Sequence, residues 1–106
     1  SRMNEAEIRS KVEHYYRIDG GQLYRRANQL AFRAWAYLLR RAANLPLSDV
    51  AKRCGVSVSR ISHIQRAIET RPVDATLKRL MIECKVNGLL PKVVCTHHAC
   101  ALMAAV

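Results

Sequence analysis

The sequence predicts an all-α protein, a five- to six-helix bundle containing a helix-turn-helix, on three observations. Apolar residues recur at helical rather than strand spacing almost throughout. Capping and breaking residues separate the periodic stretches. A length of 106 residues suits one domain with one core and not two. Residues 1–90 are expected to form that domain, and residues 91–106 an apolar tail that carries Cys and His.

The first helix is expected from near Asn4, because Ile8, Val12, Tyr15 and Tyr16 stand at i, i+4, i+7 and i+8; "DGG" at 19–21 should end it. A short helix or turn around Leu23 follows. Residues 28–43 give the longest expected helix, with Ala31, Trp35, Leu38 and Ala42 inward and Arg33 and Arg40 on the opposite side. Pro46 should close it and Ser48 should cap the next helix. A last helix over about 73–86 should bury Val73, Leu77, Leu80, Met81 and Cys84, and Gly88 and Pro91 should end it.

Between these helices, "LSDVAKRCGVSVSRISHIQRAIE" at 47–69 has helix-turn-helix spacing. Val50 and Cys54 face inward from its first helix, small Ala51 permits close crossing, and Gly55 supplies the positive φ of a sharp turn. Val56, Ile61 and Ile64 hold the second helix across the first, with Ser57 as its cap. The residues left over face outward: Ser57, Val58, Ser59, Arg60, Ser62, His63 and Arg66. Small side chains at the amino end let a backbone approach the floor of a major groove, where hydroxyls donate or accept and Val58 can touch a thymine methyl. Arg60 and Arg66 are candidates either for guanine or for phosphate. An αα-hairpin in an ordinary bundle is the plain alternative for this segment.

Charge supports a polyanionic partner. Eighteen Lys and Arg against eight Asp and Glu give a formal charge of +10, which favours nucleic acid first and an acidic membrane surface second. The surplus is concentrated between residues 25 and 71, where Arg25, Arg26, Arg33, Arg40, Arg41, Lys52, Arg53, Arg60, Arg66 and Arg71 face only Asp49 and Glu69. No apolar run reaches the roughly 18 residues that span a bilayer, and "SRMNEAEIRS" has no apolar stretch of signal-peptide length. A cytoplasmic, nucleoid-associated protein with no membrane contact is expected. Ser1 and Arg2 ahead of Met3 have the look of an added leader, which leaves room for a larger parent protein.

The run "FRAWAYLLRRAANLPLSDVAKRCG" resembles the DNA-binding domain of the bacterial replication initiator DnaA, within the Trp-repressor-like group, through Arg33, Tyr37, Leu38, Leu45 and Leu47. "VEHYYRIDGGQL" resembles the helix and turn ahead of that family's basic stretch, so the likeness covers about residues 8–70. Similar domains occur at the carboxyl end of transposase-like proteins of the REP-associated tyrosine type. The resemblance implies binding of double-stranded DNA, with Arg25, Arg26 and Arg33 as backbone contacts; Arg40, Lys52 and Arg53 complete the phosphate candidates. The initiator's signature after the glycine is Arg-Asp-His-Thr-Thr, where this chain has Val56, Ser57, Val58, Ser59 and Arg60. The resemblance therefore does not carry the initiator's own target sequence to this chain. A Walker-type Gly-rich loop is also missing, and "THH" at 96–98 lacks the His-apolar-His spacing of a transposase nuclease.

Other chemistry is weakly supported. Cys84, Cys95, His97, His98 and Cys100 are zinc-capable, but Cys-x-x-Cys knuckles are absent and four of the five lie within six residues, so no metal and no cofactor are expected. Reduced thiols are the default for four scattered cysteines. Dispersed carboxylates and a packed Cys54 offer no catalytic arrangement, so no enzyme is expected within this chain. The readings carried forward are a sequence-specific duplex-DNA module, a nonspecific nucleic-acid or RNA-binding module, and a helical protein-interaction domain. A homodimer through the tail is a further open partner.

Overall fold

The computed structural model describes residues 3–86, and these are all-helical: α1 (Glu5–Tyr16), two 3₁₀ turns (Gly20–Gln22 and Arg26–Asn28), α2 (Gln29–Arg41), α3 (Leu47–Cys54), α4 (Val58–Thr70) and α5 (Ala75–Glu83). Among the described residues there is no strand, and no helix is long and apolar enough to cross a membrane. α2 is the hub, with α1, α3 and α4 all packed against it and α5 against α1. That position explains why α2 buries far more than the expected stripe. Ala31, Trp35, Leu38 and Ala42 are inward as expected, but Ala34, Ala36, Tyr37 and Leu39 are buried too. A helix walled in on three sides cannot keep a wide polar face, and the small alanines let its neighbours approach closely.

The helix ends differ from the sequence expectation for one shared reason. α1 stops at Tyr16, before "DGG", because Arg17 takes the left-handed conformation (φ 56) and the Ile18 N–H closes back onto the Glu13 carbonyl at 2.9 Å. α5 stops the same way, with Lys85 at φ 60 and the Val86 N–H on the Met81 carbonyl at 2.9 Å; Gly88 and Pro91 lie outside the described residues. In both, the residue after the turn is apolar and tucked against the core, Val86 fully and Ile18 in part. That burial offsets the roughly 1–2 kcal/mol of a left-handed non-glycine residue. Pro46 does not close α2. The helix ends at Arg41, Asn44 turns the chain at φ 61, and the Leu45 N–H reaches the Leu39 carbonyl at 3.1 Å. Ser48 lies inside α3 rather than capping it. Pro46 holds the cap position, with its carbonyl accepting from Asp49 and Val50.

Side-chain caps appear where a short polar residue precedes an extended-to-helical switch. Asn4 accepts from the Ala6 N–H (2.7 Å), Ser57 from the Arg60 N–H (3.1 Å) and Asp74 from the Leu77 N–H (3.1 Å). Each satisfies an N–H that the helix itself leaves orphaned, a contribution of about 1 kcal/mol. Tyr16 donates to the same Asp74 carboxylate at 2.7 Å, which ties the end of α1 to the start of α5.

Gly55 makes the turn between α3 and α4 at φ 69, with the Val56 N–H on the Ala51 carbonyl at 3.1 Å. A Cβ there would meet nothing within 4 Å. Gly55→Ala should therefore cost only backbone strain, about 1–2 kcal/mol by urea unfolding, and Gly55→Asn clearly less. A larger alanine penalty would mean that the turn does more than reverse the chain.

Candidate nucleic-acid interface

α4 is built from poor helix formers, Ser, Val and Ile, each a few tenths of a kcal/mol worse than alanine. Packing decides the outcome. Ile61, Ile64, Ala67 and Ile68 are buried at i, i+3, i+6 and i+7, and each large side chain taken from water contributes roughly 1.5–3 kcal/mol. With that stripe fixed, 100° per residue sets where the rest point. Ser59, Ser62 and Arg66 fall opposite the buried stripe, with His63 beside them. Arg60 shares the row of Ala67 and stands on the flank, exposed because it lies on the first turn, beyond the core. Val58 is exposed at 44% on the other flank. Ser57, Ser59, Arg60, His63 and Arg66 are exposed and Ser62 is half-exposed. Ser57 has one oxygen lone pair engaged by the cap, which leaves its hydroxyl proton and its second lone pair to offer.

The basic candidates do not form one group. Arg25 and Arg26 follow Tyr24, whose hydroxyl donates to the Arg53 carbonyl at 3.3 Å at the end of α3. The Tyr24 ring meets Trp35 edge-on at 5.8 Å. Arg9 lies 5.0 Å from the Trp35 ring centroid and donates to the Gly20 carbonyl at 2.7 Å and the Glu13 carboxylate at 3.2 Å. This clamp joins the segment that carries exposed Arg25 and Arg26 to the end of α3, which carries exposed Lys52 and Arg53. Arg53 is also ion-paired with Glu5. Lys52 and Arg53 sit on the last turn of α3, where cations suit the helix dipole whatever they bind.

Arg40 and Arg33 stand apart. Arg40 is half-buried and its Nη1 donates to the Leu45 carbonyl at 3.3 Å, bracing the loop after α2. Arg33 lines a cleft with Arg71 at the far end of α4; from Ser59 to Arg71 the rise is about 18 Å.

Sequence reasoning passed over two features that set this geometry. Exposed Tyr24, one residue ahead of an arginine pair, ties that segment to the end of α3 through its hydroxyl and to Trp35 through its ring; an aromatic beside two cations was the available signal. The other is a network between α2 and the last turn of α4. Arg41 Nε and Nη2 donate to the two Glu69 oxygens at 2.9 and 3.2 Å, and the Tyr37 hydroxyl donates to Glu69 at 2.9 Å. Burial, then the bond to Glu69, holds the Tyr37 phenol well above its ordinary range. Glu69 and Asp49 had been visible only as the two acids in a basic segment.

Cys54 and Cys84 are buried, and burial pushes the Cys54 thiol up to about 12 and raises that of Cys84. Among the described residues no three metal-capable side chains come together; Cys95, His97, His98 and Cys100 lie outside them. The folded chain holds the Cys54 proton more tightly than the unfolded one, so rising pH favours unfolding from near the usual thiol value of 9.0 upward. Tyr16 and Tyr37, both raised from 10.0, act in the same direction at higher pH. Helical circular dichroism should hold at neutral pH and fall progressively above about pH 9, and both thiols should resist iodoacetamide until the chain unfolds. Rapid native labelling of Cys54 would contradict its burial.

No protein-family model matches the chain, and no curated protein or solved structure matches it either.

Proposed function

We propose that this chain binds double-stranded DNA sequence-specifically through a helix-turn-helix formed by α3, the Gly55 turn and α4, with α4 as the recognition helix in the major groove. One observation carries the reading: the outer row of α4, exposed Ser59 and Arg66 with half-exposed Ser62 between them and exposed His63 beside it, lies opposite the buried stripe and takes no part in the core of the described residues. Short hydroxyl side chains admit the helix to the groove floor, and Arg66 is the fork that can engage guanine. The exposed cluster of Arg25, Arg26, Lys52 and Arg53 supports the reading from the side, as phosphate contacts that set register. Arg40 drops out of that role because its guanidinium is engaged with the loop, and Arg33 because it lies at the opposite end of α4.

The resemblance to the initiator's DNA-binding domain agrees with this division at Arg25 and Arg26 and departs from it at Arg33, and it supports reading the chain as the DNA-binding module of a replication-initiator-like, transposase-like or regulatory protein that works at the nucleoid. The role proposed is binding and not catalysis. The competing module, a nonspecific nucleic-acid or RNA binder, shares the basic cluster but leaves the small-residue row on α4 without a purpose.

Titrating salt against binding to random duplexes, selected duplexes and RNA separates them. A specific reader keeps a preference of about 10³-fold or more for the selected duplex as salt weakens the phosphate contribution. Equal loss on every sequence removes the proposal in favour of nonspecific binding, and no binding at low salt leaves a protein-interaction bundle.

A further inference from the structure

At the C-terminal end of α4 lies a cleft of 160 Å³ whose floor is made by Ile68 and Leu77 and whose rim carries Leu30, Arg33, Arg71 and Val73. Its volume is below the roughly 300 Å³ at which small-molecule cavities begin, and suits one aliphatic side chain. Leu30 is 53% exposed at its edge, a large apolar side chain that the described residues leave largely uncovered. Among the described residues neither Arg33 nor Arg71 stands within ion-pair distance of a carboxylate. Asp74 also borders the cleft, but its carboxylate caps α5 and accepts from Tyr16, so two guanidiniums face one acid already engaged.

From these features we infer a second binding site, for an acidic segment of a partner protein that inserts one aliphatic side chain onto the Ile68 and Leu77 floor while its carboxylates take the forks of Arg33 and Arg71. Guanidinium matches carboxylate in two-point geometry, and the apolar floor gives the segment what a nucleic-acid phosphate does not use. The site lies about 18 Å along α4 from Ser59, so its occupation leaves the amino end of that helix uncovered, and the inference stands apart from whether α4 reads DNA.

The test is a titration of the ¹⁵N-labelled full chain with acetyl-Asp-Glu-Leu-Glu-Asp-amide at physiological salt, followed by amide shifts. Saturable shifts confined to the surroundings of Arg33, Ile68, Arg71 and Val73 are expected. Replacing the peptide's leucine with serine, or introducing Arg33→Ser with Arg71→Ser, should weaken binding by about tenfold or more. If the double variant does not fold, Arg71→Ser alone, at an exposed position beyond α4, carries the same comparison. No saturable shift, or shifts spread equally over Arg25, Arg26 and Arg60, overturns the site as plain charge attraction. A short duplex that shifts Arg33 and Arg71 as strongly as the start of α4 also overturns it, and makes the cleft part of a DNA surface.

Discussion

Replacing Arg66 with alanine is expected to lower affinity for a selected duplex by about 1–3 kcal/mol, tenfold to more than a hundredfold, while leaving random duplex nearly unchanged. Arg66 lies in the row opposite the buried isoleucines, seven residues on from Ser59, where a helix lying in a groove puts a side chain against base edges. The double change Arg25→Ala with Arg26→Ala should behave differently, weakening every sequence alike and lowering the salt slope by about one for each arginine. Arg60→Ala should group with that pair, since it stands on the flank in the row of Ala67. Competition binding at two salt concentrations checks all three. Equal loss on selected and random duplex after Arg66→Ala would mean that the outer row of α4 meets no bases.

The roles proposed for these arginines divide a set that residue type alone leaves undivided, and the reason is rotational. Helical periodicity was enough to expect α1, α2, α4 and α5, the Gly55 turn and the Ser57 cap, because each depends on neighbours within a few positions. Arg33, Arg40, Arg60 and Arg66 are one residue type in one basic segment, and nothing local separates them. Which way each points was decided by the fold around it: distant contacts for the three helices around α2 and the turn after α4 beside Arg33, and for Arg40 the path of the loop that brings the Leu45 carbonyl, five residues on, back to its guanidinium. The helix ends were misplaced for a related cause. Arg17 and Lys85 adopt a conformation that favours glycine because the residues after them are drawn onto the core, a tertiary demand that glycine and proline spacing does not record.

Glu69 ties the last turn of α4 to α2, and its removal should be the most costly single change on α4 outside the core. Glu69→Ala leaves the Arg41 guanidinium and the Tyr37 hydroxyl, both in a partly buried setting, without the acceptor they share. Loss of a fully buried pair's partner costs about 3–5 kcal/mol, but the Arg41 and Glu69 side chains keep 23% and 22% of their exposure, so water recovers part of it and about 1–3 kcal/mol is expected by urea unfolding. Glu69→Gln should fall between, since an amide oxygen can serve Tyr37 while its NH₂ opposes the guanidinium. Tyr37→Phe removes a single hydrogen bond, about 1 kcal/mol. A double-mutant cycle of Tyr37→Phe with Glu69→Ala should give less than the sum of the single losses, because both act on one network. The first turn of α4 stays anchored by Ser57, Ile61 and Ile64 in all of these variants, while the last turn loses its tether to α2. Base preference should therefore fall further than total affinity at a temperature where every variant remains folded. Strict additivity in the cycle would show that the Tyr37 hydroxyl and the Glu69 carboxylate are not coupled and that the bond between them contributes nothing, and an unchanged base preference would show that α4 is aimed by its buried isoleucines alone.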